Sequence, residues 1–336
     1  MLSVSDKGLC SSLNTTHMML TITVYNQSGG QTKSSVTRDL AAAFAEIGDD
    51  VLVVDFDAQN SSVSNYFGVD DDKSNPDADT LTRHLIDQGQ GPFEDIIETY
   101  NEHIDVIPSH KQFGDVGDRL DEHEEYLKGV KPDDWEYPRY ERFLDLVKKH
   151  DLQDDYDVML VDPNAKADEA WYLALYATRN VLIPAEATRG GVGSIDGVND
   201  SMENFAEAMG ISVSAIGVVP AKVDATKEQH VKHSQTMNDD FVCPIYTKSL
   251  SAFEKAEDNY QTVFELLKNK RIRNSEQDIM PKFRTLAAHV YSQAGQELPN
   301  GGWDEDELWH GNEFWGDVDD STFASVLSSK PVVEAE

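Results

Sequence analysis

A lysine followed by a hydroxyl residue, with two glycines just upstream, can hold a phosphate. In Ser28-Gly-Gly-Gln-Thr-Lys-Ser-Ser35 the pair Gly29-Gly30 lets the backbone approach a ligand closely. Lys33 brings positive charge and Ser34 a hydroxyl suited to a divalent cation, while Gln31, Thr32 and Ser35 extend a run of backbone N–H groups that would face an anion. Acidic groups follow downstream. Asp55-Phe-Asp57-Ala-Gln59 and, much later, Asp162 each end an apolar run. Carboxylates at strand ends sit where open α/β folds bind ligands.

These residues need a scaffold that brings them to one edge. Residues 21–24 form a short β-branched run that reads as a buried strand, and from Ser35 a helical pattern sets Val36, Leu40, Phe44 and Ile47 on one face. Strand, glycine loop, Lys-Ser and helix together make a phosphate cradle. The standard spacing G-x-x-x-x-G-K-[ST] is not met, because Thr32 stands where the last glycine would be; the looser G-G-x-x-K-[ST] is met. After a turn at 48–50, residues 51–54 read as a second buried strand, which points its terminal acidic residues at the carboxyl edge of a sheet.

The rest of the chain keeps alternating. Residues 81–97 read as helical with a break at 89–92, and 104–109 as a strand and turn. Residues 114–150 are charged and loop-rich, ending in a helix with Phe143, Leu144 and Val147 on its apolar face. Residues 156–162, 180–184 and 213–220 read as strands, 241–245 as a further short strand, and 281–293 as a closing helix. Gly190-Gly-Val-Gly193 opens a helix. The expectation is an α/β fold, a doubly wound and mainly parallel sheet with helices on both faces. It divides into a disordered leader at 1–18, one domain at 19–298 and an acidic, Trp-containing tail at 299–336.

The formal charge is -34, from 62 acidic and 28 basic residues, which argues against nucleic-acid binding by overall charge. With 39% hydrophobic residues the chain is not a disordered acidic protein. A dense carboxylate surface instead suits a halophilic, cytoplasmic setting. Cys10 and Cys243 are too few for a disulfide framework or a four-thiolate metal site. No apolar run approaches the ~20 residues of a membrane span, and residues 1–17 lack the basic start and apolar core of a secretory signal. Met18 or Met19 is an alternative start.

With the glycine loop and Asp55-Phe-Asp57-Ala-Gln59 in this order, the chain resembles the ParA/MinD family of deviant-Walker P-loop ATPases, and its ParA (Soj-like) branch best. The resemblance runs over nearly all of 20–298 and includes Ser249-Leu-Ser-Ala-Phe-Glu-Lys-Ala256. It implies ATP and Mg2+ as cofactors, with Lys33 on the β/γ-phosphates and Asp57 orienting or activating the attacking water. Ser34 would hold Mg2+ directly and Asp162 through water, with Asp55 near the metal. Ser28, Gly29, Gly30, Gln31, Thr32, Ser35 and Gln59 would line the nucleotide, and Lys222 and Asp224 would touch its base. Asp162, Lys222 and Asp224 each have an ordinary strand-end or loop role as the alternative.

The resemblance further implies a nucleotide-controlled homodimer working in plasmid or chromosome partitioning with a centromere-binding protein. Weak nonspecific DNA contact would fall to Lys268, Lys270, Arg271 and Arg273, with Lys227 and Lys232 on an earlier helix. A MinD-like membrane anchor would need a basic amphipathic helix at the C-terminus, and none is present. One departure stands out. The family's first loop lysine, which reaches the partner's phosphates, is Ser28 here; serine donates a hydrogen bond but cannot neutralise charge. Arg189 is a candidate replacement. The alternative function is a hydrolysis-poor switch or adaptor, acting through a tail whose Trp303, Trp309 and Trp315 alternate with Leu308 and Phe314 among carboxylates.

Overall fold

The computed structural model describes residues 18–28, 32–59, 62–70, 72–268 and 271–311. Gly29, Gly30 and Gln31 of the glycine loop and Lys270 of the basic cluster lie outside them. So do the leader at 1–17, with Cys10, and the tail beyond 311, with Phe314 and Trp315.

Among the described residues the strands are β1 (Leu20–Val24), β2 (Val51–Phe56), β3 (Glu98–Thr99), β4 (Ile104–Ile107), β5 (Val158–Pro163), β6 (Asn180–Glu186) and β7 (Ser214–Ala221). They make one seven-stranded sheet in the order β3-β4-β2-β5-β1-β6-β7. Every pairing is parallel except β3 on β4. The helices are α1 (Thr32–Glu46), α2 (Val63–Phe67), α3 (Leu81–Leu85), α4 (Val116–Lys128), α5 (Arg142–Lys149) and α6 (Leu152–Asp155). They continue as α7 (Glu169–Thr178), α8 (Arg189–Met209), α9 (Glu228–Asp240), α10 (Ser251–Asp258), α11 (Val263–Lys268) and α12 (Ile279–Gln293). This is the doubly wound, mainly parallel α/β sheet that the alternation implies.

The side-chain period of two assigns the faces. Val51, Val53, Val158 and Leu160 point to one side, into a core closed by α1, α10, α11 and α12. Leu52, Val54, Met159 and Val161 point to the other, against α3, α4, α5 and α7. The central strands β2 and β5, buried on both faces, are apolar up to Asp55 and Asp162 near their carboxyl ends. On α1, Leu40, Ala41, Ala43 and Phe44 are fully buried between the sheet and α12, so the helix that begins at the glycine loop is rigidly seated. Burial of each large apolar side chain here contributes about 2 kcal/mol.

Three stretches depart from the expectation. Residues 241–245 are not a strand: Pro244 has no N–H to give a ladder. The segment instead follows β7 irregularly, with Val218 N donating to Val242 O and Thr247 N to Pro220 O, both at 2.8 Å. Residues 81–97 are helical only as α3 and a 3-10 turn at Phe93–Ile96, because Asp87 takes a left-handed φ of 56° and Pro92 restricts the chain before it. Residues 114–150 are less loop-like than their charge implies. Both α4 and α5 pack on α7, and Arg139 ties Asp121 (2.6 Å) to Glu169 (3.0 Å). Residues 299–311 pack onto the α/β body: Trp303 Nε1 donates to Glu46 Oε2 at 3.2 Å, and Trp309 lies against Tyr246.

Candidate functional site

The approach to the glycine loop is tethered residue by residue. After β1, Asn26 Nδ2 donates to Pro184 O (2.6 Å), Gln27 Nε2 to Gly197 O (3.0 Å), and Ser28 N to Asn26 Oδ1 (2.9 Å). These bonds fix Ser28, half-buried, against β6 and α8. The first turn of α1 carries no acidic side chain, so its N–H groups and positive dipole end keep their attraction for an anion. Thr32 Oγ1, in that turn, is buried without a partner. Lys33 and Ser34 are buried behind it.

Ser34 Oγ donates to Asp162 Oδ2 at 2.6 Å. Asp162 ends β5 beside β2, and the parallel register sets it directly across from Asp55. The two carboxylates thus stand on neighbouring strands at the carboxyl edge of the sheet, where open α/β folds bind ligands. Their surroundings differ. Asp55 Oδ1 accepts from Asp57 N (2.8 Å), and Oδ2 accepts from Ser64 N (3.0 Å) and from the Ser64 hydroxyl. Both oxygens of Asp55 are therefore engaged by the turn that follows β2. Burial raises its pKa, opposed by Lys73 and by the Ser62 and Ser64 hydroxyls.

Asp162 has room left. Its Oδ1 is buried without a partner. Burial pushes its carboxyl up to about 8, against the pull of Lys33 and with Asp55 adding to the rise. A cation at this point would satisfy the spare oxygen and relieve the buried charge. Among the described residues no group of three or more His, Cys, Asp or Glu side chains converges as a metal cage. One hydroxyl and one carboxylate suit Mg2+, which keeps several waters and takes substrate phosphate oxygens as its remaining ligands. The donor set fits that ion.

Asp57 and Gln59 lie on the loop after β2. Asp57 Oδ1 accepts from Gln59 N (2.9 Å), closing a turn that leaves Gln59 exposed. Ser35 and Thr32 line a cleft of about 100 Å3 with Val36, Lys222, Ser249 and Phe253. Lys222 reaches it through a left-handed backbone position (φ 54°) and pairs with Glu186 at 2.6 Å. Asp224 does not reach it; it caps its own turn by accepting from Thr226 N (3.0 Å) and Oγ1 (2.6 Å). Arg189 is exposed at the start of α8 on the same edge of the sheet. In the basic cluster, Lys268 leans on Glu46 at 3.7 Å, whereas Arg271 and Arg273 are exposed.

Lys73 is a residue that sequence reasoning missed. Its ammonium donates to Ser62 Oγ (2.6 Å), to Asp57 O (3.4 Å) and to the Gln59 carbonyl. Nothing in the acidic stretch around it marks a lysine that turns inward.

A family model for AAA domains (AAA_31) matches residues 19–213. The chain is 24% identical over 223 residues to the maintenance of carboxysome distribution protein A of Synechococcus elongatus, covering 65% of this chain and 78% of that one. It is 26% identical over 187 residues to a probable plasmid-partitioning protein ParA of Thermus thermophilus, covering 56% of this chain and 51% of that one. Its fold matches the septum site-determining protein MinD of Pyrococcus horikoshii, solved with Mg-ADP. There the TM-score is 0.60 at 18% identity, over 83% of this chain and 98% of that one. No helix among the described residues is long and apolar enough to cross a membrane.

Proposed function

The chain belongs to the AAA_31 family of AAA domains, within the ParA/MinD superfamily of P-loop ATPases, and on that premise we propose that it is a Mg-ATP-dependent ATPase that positions or partitions a cargo. Its relatives are named for plasmid partitioning, carboxysome distribution and septum-site determination. For this chain the reading is plasmid or chromosome partitioning as a nucleotide-controlled homodimer. The observation that carries it is the Ser34–Asp162 contact beside buried Lys33, with a spare Asp162 oxygen facing a possible cation.

In this proposal the α1 N-terminus, Thr32 and Ser35 receive the phosphates, Lys33 pairs with the β/γ-oxygens, and Ser34 with Asp162 holds Mg2+. The bound ion would neutralise charge that develops on the transferred phosphoryl oxygens. Asp57 orients the attacking water from its tethered turn, and Asp55 holds that turn in place. Lys222 borders the cleft that would take the base. Arg189 is the basic group proposed to take over the charge contact that Ser28 lacks. A centromere-binding partner and salt-sensitive DNA contact through Lys268, Lys270, Arg271 and Arg273 complete the reading, in a cytoplasmic protein of a halophilic organism. Residues 19–298 serve as the ATPase domain and 299–336 as its acidic tail.

Ser28 favours a second reading, a nucleotide-binding switch with little turnover, because no lysine follows Gln27 to neutralise phosphate charge. Mg-ATP turnover in molar KCl, with and without DNA and beside Lys33→Ala, separates the two. Turnover that rises with DNA and disappears in Lys33→Ala supports the partition ATPase. Tight binding without turnover supports the switch, and no ATP binding overturns both.

A further inference from the structure

Lys73 is only 6% exposed, although it follows three consecutive aspartates in the segment between α2 and α3. Its own backbone is held on both sides: Lys73 N donates to Asp70 O (3.1 Å) and Lys73 O accepts from Lys111 N (3.0 Å). The side chain therefore starts from a fixed point. An ammonium has three N–H groups, and the three acceptors here all lie on the loop after β2: Asp57 O, Gln59 O and Ser62 Oγ.

The same loop is held from within the sheet by Asp55, through Asp57 N, Ser64 N and the Ser64 hydroxyl. The described ends of this loop, 57–59 and 62–64, are thus held between a buried carboxylate and a buried ammonium. Burying a lysine is costly unless it is fully hydrogen-bonded; this one also offsets the charge of buried Asp55 at the root of the same loop. Its contacts go to the carbonyl of Asp57 itself, to that of Gln59 two residues on, and to the Ser62 hydroxyl. We propose that Lys73 is a positioning residue: it fixes the loop from which Asp57 orients the attacking water. The proposal rests on the ATPase reading for its catalytic consequence. Lys73 itself moves no proton and touches no substrate. Charge-assisted bonds to two carbonyls keep the Asp57 backbone from rotating, and displacement of a catalytic group by about 1 Å costs on the order of 100-fold in rate.

The test uses the full chain. Lys73→Met keeps the aliphatic stem and removes the donors; Ser62→Ala removes one acceptor and disturbs the fold less. Lys73→Met should lower kcat by ~10-fold or more, with the Kd for Mg-ATP held within ~2-fold. Ser62→Ala should lower kcat less, in the same direction. Amide exchange should rise within 57–64 and stay unchanged in β1 and β2. A kcat within ~2-fold of the native chain in both variants overturns the proposal. So does a joint loss of kcat, nucleotide affinity and protection across the whole sheet, which would mark a merely structural lysine. If the native chain binds ATP but does not turn it over, the ATPase reading fails separately. Exchange then decides: faster exchange confined to 57–64 in Lys73→Met supports the clamp, and unchanged exchange there overturns it.

Discussion

Ser34 Oγ and Asp162 Oδ2, 128 residues apart in sequence, meet at 2.6 Å and join the first turn of α1 to the end of β5. The bond satisfies half of a carboxyl group that burial has pushed up to about 8. Without a cation, Asp162 works against folding near neutral pH: the unfolded chain carries it ionised and the folded chain resists that charge. Asp162→Asn keeps the shape and removes the conflict. In urea melts without nucleotide it should gain on the order of 1 kcal/mol, while Mg-ATP turnover falls roughly 100-fold. A variant that loses both stability and turnover would contradict this account.

Asp57→Asn isolates the carboxylate charge from the loop geometry. Asparagine retains an Oδ1 that can accept from Gln59 N, so the turn survives. The expected outcome is Mg-ATP affinity within ~2-fold of native and turnover lower by about 100-fold or more. Titration of a fluorescent nucleotide beside single-turnover assays checks it.

Buried histidines should draw stability down on the acid side of pH 6.5, against the opposite pull of Asp162. His289 and His110 both have pKa values lowered mainly by burial. His289 Nε2 donates to Ile216 O at 2.7 Å, and His110 Nδ1 accepts from Gln112 N at 3.1 Å. The unfolded chain takes up protons there that the folded chain refuses, so stability is lost as pH drops below the ordinary histidine value. Each such histidine adds at most about 1.4 kcal/mol per pH unit to the slope. His289→Gln should flatten the slope by up to that amount, measured by urea melts between pH 5 and 7.

Trp309 anchors residues 299–311. Its ring meets Tyr246 edge-on at 5.4 Å and lies 4.9 Å from the Lys282 ammonium, while its backbone N donates to Thr285 Oγ1 at 2.8 Å. Trp309→Ala should cost about 2 kcal/mol, less than a fully buried tryptophan would. Thr285→Val should cost about 1 kcal/mol, and the double mutant about the sum, because Trp309→Ala keeps the backbone N–H that Thr285 Oγ1 accepts from.

A net charge of -34 opposes compaction at low ionic strength. Raising KCl from ~0.1 M, where the Debye length is about 10 Å, to ~1 M, where it is about 3 Å, should raise Tm steadily. A flat Tm over that range would count against the halophilic reading.

The sheet and most of the proposed site were legible because they rest on local properties of the chain. Lys33 and Ser34 follow a strand and open a helix, and Asp57 and Asp162 end or follow apolar runs; type, order and spacing suffice to bring them to one edge. Lys73 was not legible, because two of its partners are backbone carbonyls that no residue pattern names. Lys222 and Asp224 looked equivalent after the same strand. The left-handed φ at Lys222 separates them, sending one side chain to the cleft and the other into its own turn. Residues 241–245 have a strand's apolarity, and one proline decides otherwise.

The irregular run past Pro244 also governs how copies of this chain can meet. It takes up outer hydrogen-bonding groups of β7 at Val218 and Pro220, and of Val223 just beyond the strand. At the opposite margin β3 is two exposed residues long, one of them Glu98. Neither margin offers a template on which a foreign strand could be added. Among the described residues, the two sheet margins therefore leave side-chain faces and the carboxyl edge, rather than strand addition, as the surfaces open to a second molecule.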